Sequence, residues 1–244
     1  MYEHYTIALG SNEWWYGLIA SSTLWLTIIF IGWKLRKQNK AEKLTRILFW
    51  LLLIREIIFH LFVIISGKFT FQDSLPLHLC GISYIFLLFV FYYRVQYLFE
   101  FLIMLSLAGA IQSLITPELT HGYSFLLYMD YYFVHSALFF LPIYCYFIMG
   151  MRLRQRSWLS AFLFGNVILL IVGLINYFVG ANYIYLCHPP KANNPLITGG
   201  FPYHIIGFEV IGFIHIILIY FIFYTVIPKY GLQKINSRNQ HYYP

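Results

Sequence analysis

Charged residues are scarce in this sequence. Asp, Glu, Lys and Arg make up 10% of the 244 residues, whereas hydrophobic residues make up 60%. A soluble domain carries about 25% charged residues, and one apolar core cannot hide so much hydrophobic surface in a chain of this length. The composition therefore argues against a water-soluble globular protein and predicts a multi-pass integral protein of the cell membrane.

Cysteine is also rare. The three cysteines, Cys80, Cys145 and Cys187, are too few for a disulfide framework and show no CxxC spacing, so a metal ribbon is not expected. A single disulfide between Cys80 and Cys187 stays open as an alternative. The sequence contains no phosphate-binding glycine loop and no nucleophile elbow. No cofactor is predicted.

Long hydrophobic runs, by contrast, fill the chain. A bilayer core of about 30 Å needs about 20 apolar residues per helix. Seven segments reach this length: 14–33, 45–66, 77–95, 97–116, 123–149, 158–179 and 202–227. Residues 1–244 are therefore predicted to form one integral membrane domain, an all-α bundle of seven transmembrane helices. Pro76 is expected in the first turn of the third helix, where its missing N–H is harmless.

The basic residues predict the orientation of this bundle. The net charge is +7, but the basic residues lie in short blocks between hydrophobic runs and form no patch for nucleic acid. Thirteen of the 16 Lys and Arg residues fall on one side, many of them in 34–46 and 152–156, whereas the other side has only Lys68 and Lys191. The positive-inside rule therefore predicts an N-terminus outside and a C-terminus inside.

Polar side chains within the spans concentrate on one side of the predicted membrane. An ionisable group at the centre of a membrane helix costs at least about 2.5–3.5 kcal/mol, so it needs a partner or a role. The outer half and the middle of the membrane hold Arg55, Glu56, His60, His78, Cys80, Gln112, Asp130, His135, Asn176, His204 and Glu209. Random scatter would not favour one leaflet, so these residues predict a water-accessible cavity open to the outer side.

Some of these residues have plainer interpretations. Arg55 and Glu56 could be a buried ion pair that only fixes helix packing. Glu56 and His60 lie four residues apart on one helix face and can pair with each other.

The histidines and the cysteine also allow alternatives. His135 could be a hydrogen-bonded core histidine rather than a base. His78, His135 and His204 could hold zinc, but no HxxxH or HxxE spacing supports a metal site, and none is predicted. Cys80 could be a nucleophile activated by the start of a helix, or simply a small buried hydrophobic residue.

The longest connection covers residues 182–204. It is rich in Pro, Asn and Gly but also contains Leu, Ile, Tyr and Phe, so it is predicted to fold back over the bundle. Loops of this kind can act as lids. Gly199 and Gly200 are a candidate hinge, although a simple turn explains them equally well.

Several segments together resemble a known family. These segments are LPLHLCGIS (75–83), ITPEL (115–119), YYFVHS (131–136), NYIYLCHPP (182–190) and GGFPYH (199–204). They resemble the bacterial integral membrane family labelled YwaF, which is distantly similar to vertebrate transmembrane protein 164. The resemblance implies acyl transfer to lysophospholipids through a cysteine–histidine pair. The histidine of that pair falls on His135, whereas the cysteine falls on Leu77, immediately before His78.

The predicted function is modification of a membrane lipid. The first hypothesis is an outer-leaflet enzyme that transfers or hydrolyses an acyl group of a phospholipid or lysophospholipid. In it, Asp130 orients His135 as the base, and Cys80 is the nucleophile. In a variant, His135 or His78 activates a lipid hydroxyl or water directly.

The other predicted site residues have supporting roles. Gln112, Asn176 or backbone amides are candidate donors to the oxyanion. The remaining polar residues of the predicted cavity are candidates for substrate binding: Arg55, Glu56, His60, His204 and Glu209. The alternative hypotheses are a non-catalytic protein that binds or transports a lipid or another small molecule, and a structural partner of another membrane enzyme.

Overall fold

Seven helices form the bundle in this computed structural model, which describes residues 4–191 and 199–229. The helices are α1 (Asn12–Lys37), α2 (Ala41–Ile65), α3 (Leu79–Tyr93), α4 (Gln96–Ile115), α5 (Phe125–Phe147), α6 (Ser157–Val179) and α7 (Tyr203–Val226). A π-helical turn interrupts α4 at Leu102–Ser106, and a second ends α7 at Phe221–Val226. A 3-10 turn (Tyr183–Tyr185) follows α6, and a short helix (Ile227–Lys229) follows α7.

Six of these helices are long and apolar enough to cross a membrane. The chain is therefore a multi-pass membrane protein with six candidate spans. The exception is α3, a shorter apolar helix of 15 residues, which at 1.5 Å per residue covers about 22 Å. The predicted third span, 77–95, is too long at both ends. His78 is extended and caps the helix, and Arg94 ends it in a left-handed conformation.

Pro76 was expected inside that helix, and this prediction is wrong. It lies in a turn, three residues before the helix begins at Leu79. The backbone of Pro76 packs against Gly81, where an added Cβ would lie 2.9 Å from its Cα. The turn thus folds back onto the start of α3 and carries His78 with it.

Other helix boundaries follow local signals in the sequence. Ser11 precedes α1, and its hydroxyl accepts a hydrogen bond from the N–H of Trp14 at 3.1 Å. Ser124 caps α5 in the same way at Leu127, at 3.2 Å. Gly180 ends α6 with a φ of 70°, a left-handed conformation that favours glycine.

The start of α1 lies beside the end of α4 at one end of the bundle, which we call the cavity end. There the indole N–H of Trp14 in α1 donates to the carbonyl of Leu114 in α4 at 2.7 Å. Two short antiparallel strands, β1 (Tyr5–Thr6) and β2 (Glu118–Leu119), join the N-terminal segment to the connection between α4 and α5. This connection therefore sits over the polar residues near the ends of α2 and α4.

Helix α4 lies at the centre of the bundle, and α7 lies at its edge. In the most apolar window of α4, 61% of the residues are buried, against 11% in that of α7. Helix α5 packs along α1, where the hydroxyls of Ser21 and Ser136 lie 2.7 Å apart. Lys234 and Arg238, which contribute to the orientation prediction, lie outside the described residues, as do residues 192–198 of the long loop.

Candidate functional site

A cavity of about 430 Å³ opens between the helices at the cavity end. Its wall is formed by α2 to α7, by the turn before α3, by the connection between α4 and α5 and by the segment that follows α6. Most of the lining surface is apolar, with polar and charged side chains from several helices among it. Small-molecule sites have this character and volumes of about 300–1,000 Å³.

Nine of the eleven polar residues singled out from the sequence line this cavity. They are Arg55, Glu56, His60, His78, Cys80, Gln112, Asp130, His135 and Glu209. The first eight come from four separate parts of the chain, and we call their surface the polar end of the cavity. Asn176 and His204 are not on the wall.

A charged network forms one side of the polar end. The Nε of Arg55 donates to Oδ1 of Asp130 at 2.7 Å, and its Nη2 contacts the second carboxylate oxygen. Arg55 also donates to Glu56 at 2.6 Å, and Glu56 contacts His60 at 3.0 Å. The predicted pairing of Glu56 with His60 is confirmed. Asp130, however, is engaged by Arg55 rather than by His135.

His135 is oriented by its own helix. Its Nδ1 lies 2.7 Å from the backbone carbonyl of Tyr131, one turn earlier in α5. A carbonyl can only accept, so Nδ1 carries the proton and Nε2 of the neutral ring keeps a lone pair. The Tyr131 ring packs on the imidazole with a centroid distance of 4.0 Å, and its hydroxyl donates to the carbonyl of Ser113 at 2.8 Å. Tyr131 therefore takes the orienting role that the sequence suggested for Asp130.

His78 has the opposite hydrogen-bonding arrangement. The backbone N–H of Ile184 donates to its Nδ1 at 3.3 Å. In the neutral ring the proton is therefore on Nε2, which is a donor. The rings of Tyr183 and Tyr185 both pack against the imidazole, at centroid distances of 5.2 and 5.3 Å. The cavity wall thus carries one histidine able to accept a proton and another able to donate a hydrogen bond.

Cys80 lies on the wall next to Ser113. Its Sγ is 3.7 Å from the Ser113 hydroxyl, and both Cys80 and Cys187 are free thiols, so the disulfide alternative is not formed. Leu77, at the position that the resemblance gives to the cysteine, is absent from the cavity wall and packs in an apolar cluster with Tyr183. Only Cys80 therefore brings a thiol to the cavity wall within residues 4–191 and 199–229.

Asn176 and His204 hold the segment after α6 in place. The amide of Asn176 is bonded on both sides to the backbone of Tyr183, donating to its carbonyl and accepting from its N–H, each at 2.9 Å. His204 is fully buried, and its Nε2 lies 2.9 Å from the carbonyl of Tyr185. The predicted role of Asn176 as an oxyanion donor does not fit this geometry, because both ends of its amide are already used.

The described part of the long loop folds back over the bundle, as predicted. Tyr183 is fully buried, and its hydroxyl donates to the carbonyl of Phe71 at 2.8 Å and accepts from the N–H of Leu75 at 2.9 Å. Ile184 and Tyr185 line the cavity. Gly199 has a φ of 85°, which suits either a turn or a hinge.

Tyr131, Tyr185 and His215 line the cavity but were not among the predicted site residues. Tyr131 orients His135 through its backbone carbonyl, and no pattern of side chains reveals such a role. The signal that the sequence does contain is the spacing of four residues between Tyr131 and His135. His215 lies deep in α7, and its Nδ1 donates to the carbonyl of Ile211 at 2.8 Å. The described residues contain no group of three or more His, Cys, Asp or Glu that could hold a metal ion.

His121 lines the cavity from the connection between α4 and α5. Its Nε2 is 3.3 Å from the hydroxyl of Ser74, and its Nδ1 is 3.1 Å from that of Thr120. Burial lowers the pKa of His121 below its ordinary value of 6.5. This histidine is therefore neutral at neutral pH and ties the turn before α3 to the connection after α4.

Comparison with known proteins gives one match. Neither the curated proteins nor the solved structures contain a match to the chain. The model of the TMEM164 family matches residues 8–220, which include α1 to α6, most of α7 and every residue of the cavity wall. This agrees with the resemblance to transmembrane protein 164 that the sequence motifs indicate. The chain belongs to the TMEM164 family.

Proposed function

We propose that the protein is a membrane-embedded enzyme that transfers or hydrolyses an acyl group of a phospholipid or lysophospholipid. The observation that carries the proposal is the opposite hydrogen bonding of two histidines on one cavity wall. His135 presents a lone pair on Nε2, whereas His78 presents an N–H. Acyl transfer needs a base for the attacking hydroxyl and a donor for the oxyanion that forms on the ester carbonyl.

The direct route uses no covalent intermediate. A lysophospholipid hydroxyl, or water, passes its proton to Nε2 of His135 as its oxygen attacks the ester carbonyl. The oxyanion of the tetrahedral intermediate accepts a hydrogen bond from Nε2–H of His78. The C–O bond to the leaving group then breaks, and the leaving oxygen takes the proton back from His135. Tyr131 keeps the imidazole in the required tautomer throughout.

The covalent route passes through Cys80. The Cys80 thiol gives its proton to His135 and attacks the ester carbonyl; the C–O bond breaks, the leaving oxygen takes the proton from His135, and the acyl group stays on Sγ as a thioester. A second hydroxyl then gives its proton to His135 and attacks the thioester, the C–S bond breaks, and the proton returns to Sγ. The thiol's hydrogen-bond contact is to Ser113, at 3.7 Å. This contact favours the direct route, because an activated thiolate is normally paired with its base.

The cavity suits an amphiphile with its polar part at the charged network. Arg55, Glu56 and Asp130 offer both signs of charge to a headgroup. The positive-inside rule favours an N-terminus outside and a C-terminus inside, which makes α3 a seventh, short crossing and opens the polar end to the outer leaflet of the cell membrane. Domain 1–244 then works as a single unit.

A second candidate function is lipid binding or transport without chemistry. It is favoured by Leu77, which stands where the resemblance places the cysteine and packs away from the cavity. In this case the two histidines would bind a headgroup and transfer no proton.

Lipidomics of membranes from cells that lack the protein tests the proposal. The cells are complemented with wild type, His135→Ala, His78→Ala, Cys80→Ala or His188→Ala. His188 is exposed and is not on the cavity wall, so it is the matched control. Losing a general base lowers turnover about 10²–10⁴-fold, and losing an oxyanion donor lowers it about 10²–10³-fold.

The expected result is rescue by wild type and His188→Ala, but not by His135→Ala, with weak rescue by His78→Ala. Rescue by Cys80→Ala would select the direct route, and its failure would select the thioester route. Full rescue by both His135→Ala and His78→Ala would reject an enzyme and leave the lipid-binding function.

A further inference from the structure

The cavity does not end at the histidines. It continues between α6 and α7, where much of its wall is formed by Phe162 and Gly165 from α6 and Phe208, Gly212, Phe213 and Ile216 from α7. We call this part the tail groove. Its wall also carries three polar side chains: Asn166 donates to Glu209, and His215 donates to the carbonyl of Ile211. One continuous cavity therefore runs from a polar end, near His78 and His135, to a mostly apolar end.

The periodicity of α7 explains how one helix borders both the cavity and the membrane. Phe208, Gly212 and Ile216 are four residues apart, so they share one helix face. Ile206 and Val210 lie on a different face and are 56% and 54% exposed. On a membrane helix this second face contacts lipid. The tail groove is thus separated from the bilayer by a single helix.

Two aromatic rings close the groove. Phe162 and Phe213 meet edge to face at 5.2 Å between ring centroids, and Trp158 lies behind them at 6.2 Å from Phe213. One turn before Phe213, the carboxylate of Glu209 accepts a hydrogen bond from Asn166 of α6 at 3.2 Å. Contacts of Glu209 and Phe213 therefore join α7 to α6 along the groove.

Gly212 leaves open space beside the groove. A Cβ at this position would meet no atom within 4 Å. A Cβ at Gly165, by contrast, would lie 2.9 Å from the side chain of Leu105. A side chain can therefore begin at position 212 without a clash at its Cβ, and a larger residue there narrows the groove from the α7 side, which gives a direct way to test what fills it.

We propose that the tail groove holds one acyl chain of a membrane lipid and that Phe213, with Phe162, sets the length of that chain. This rests on the proposed lipid site at the polar end. A helix of a partner protein is about 10–12 Å across and does not fit a cavity of about 430 Å³. An amphiphile matches the polar-to-apolar gradient along the cavity, and the surrounding bilayer supplies one.

The test measures chain length by binding, without turnover. Purified wild type, Gly212→Leu, Phe213→Ala and Leu218→Ala are each equilibrated in detergent with an equimolar series of saturated lysophospholipids that differ only in chain length. Native mass spectrometry then gives the distribution of bound chains. Leu218 is 54% exposed on α7 and is not on the cavity wall, so it is the matched control.

Gly212→Leu is expected to shift the bound chains to shorter lengths, and Phe213→Ala to longer ones. Each methylene of the acyl chain that enters or leaves the tail groove changes the relative occupancy of that lipid about fourfold. Leu218→Ala should bind the same distribution as wild type. Since a Cβ at position 212 meets open space and Leu favours a helix, the Gly212→Leu variant is expected to fold even if Phe213→Ala does not.

The possible results separate this inference from the proposed function. Opposite shifts in the two variants support the acyl-chain groove, including when the lipidomics experiment finds no enzyme. An unchanged distribution in folded Gly212→Leu, or no chain-bearing lipid bound by wild type, overturns it.

Discussion

Arg55 of α2 and Asp130 of α5 form a two-point ion pair on the cavity wall, with Nε and Oδ1 2.7 Å apart. This pair fixes the position of both helices at the cavity end and occupies both oxygens of the carboxylate. It also removes Asp130 from the role of orienting His135. The carboxylate and the imidazole lie on one helix, five residues apart, but serve different parts of the site.

Asp130→Asn should therefore affect folding more than chemistry. The substitution leaves the guanidinium of Arg55 short of one charged partner, and hydrogen bonds to charged groups contribute about 1.5–3 kcal/mol each. We expect a loss of this size in the free energy of unfolding, measured in detergent. Lipid turnover per folded molecule should stay within a few-fold of wild type.

The matched control is Glu42→Gln, which removes the negative charge that pairs with Arg94. The side chain of Glu42 is 58% exposed. An exposed ion pair contributes about 0–1 kcal/mol, so this variant should be nearly as stable as wild type. If Asp130→Asn folded normally yet lost all turnover, Asp130 would belong to the catalytic machinery after all.

Most of the helices can be predicted from the sequence, because the hydropathy of a segment depends only on the residues that it contains. The sequence-based prediction misjudges α3, since Pro76 and His78 form a turn whose geometry depends on contact with Gly81. The prediction that His78 and His135 share one cavity follows from the sequence, because ionisable groups are costly in lipid and therefore cluster. The sequence-based prediction misses Tyr131, whose carbonyl carries no sequence signature, and it misassigns Asn176, whose amide is engaged by a backbone that only the fold brings near.

Asn176→Ala should release the segment that covers the cavity. Asn176 is 2% exposed, and its removal leaves the buried N–H of Tyr183 without a partner and its carbonyl with only the long hydrogen bond from Leu186, at 3.4 Å. A buried group left without a partner costs about 1–3 kcal/mol. Hydrogen exchange of the amides in residues 183–188, followed by mass spectrometry, should accelerate well before that of α5. Gln72→Ala is the control, because exposed Gln72 also bonds near the end of α6. An unchanged rate of amide exchange in Asn176→Ala would show that the Asn176 side chain does not hold this segment, and Asn176 would again be a candidate oxyanion donor.

Gly81→Ala should disturb the turn that carries His78. The new Cβ would lie 2.9 Å from the Cα and carbonyl carbon of Pro76, and backbone atoms cannot move aside cheaply. Overpacking of this kind costs about 1–3 kcal/mol, which thermal unfolding in a fixed detergent will measure. Gly173→Ala is the matched change in α6, where the Cβ would meet Leu186 at an ordinary 3.7 Å. That control should gain about 0.5–1 kcal/mol from helix propensity. Equal stability of the two variants would mean that Pro76 does not pack on α3.

His121 should make the cavity end sensitive to acid. Burial lowers its pKa in the folded protein below the value of 6.5 that an exposed histidine has. The unfolded chain therefore binds a proton more readily in the window below about pH 6.5, and stability falls with falling pH there. The stabilising contribution is fully present above this window and is lost as pH falls through the folded pKa.

The measurement is the difference in melting temperature between about pH 7.5 and about pH 5, for wild type and His121→Gln. Gln keeps a donor and an acceptor for Ser74 and Thr120 but cannot be protonated in this range, so the drop on acidification should be smaller. Other groups near it, such as Lys68 and Asp73, are unchanged in both proteins. His188→Gln, at an exposed position, should keep the wild-type drop. An equal or larger drop in His121→Gln would show that protonation of His121 does not weaken this end of the bundle.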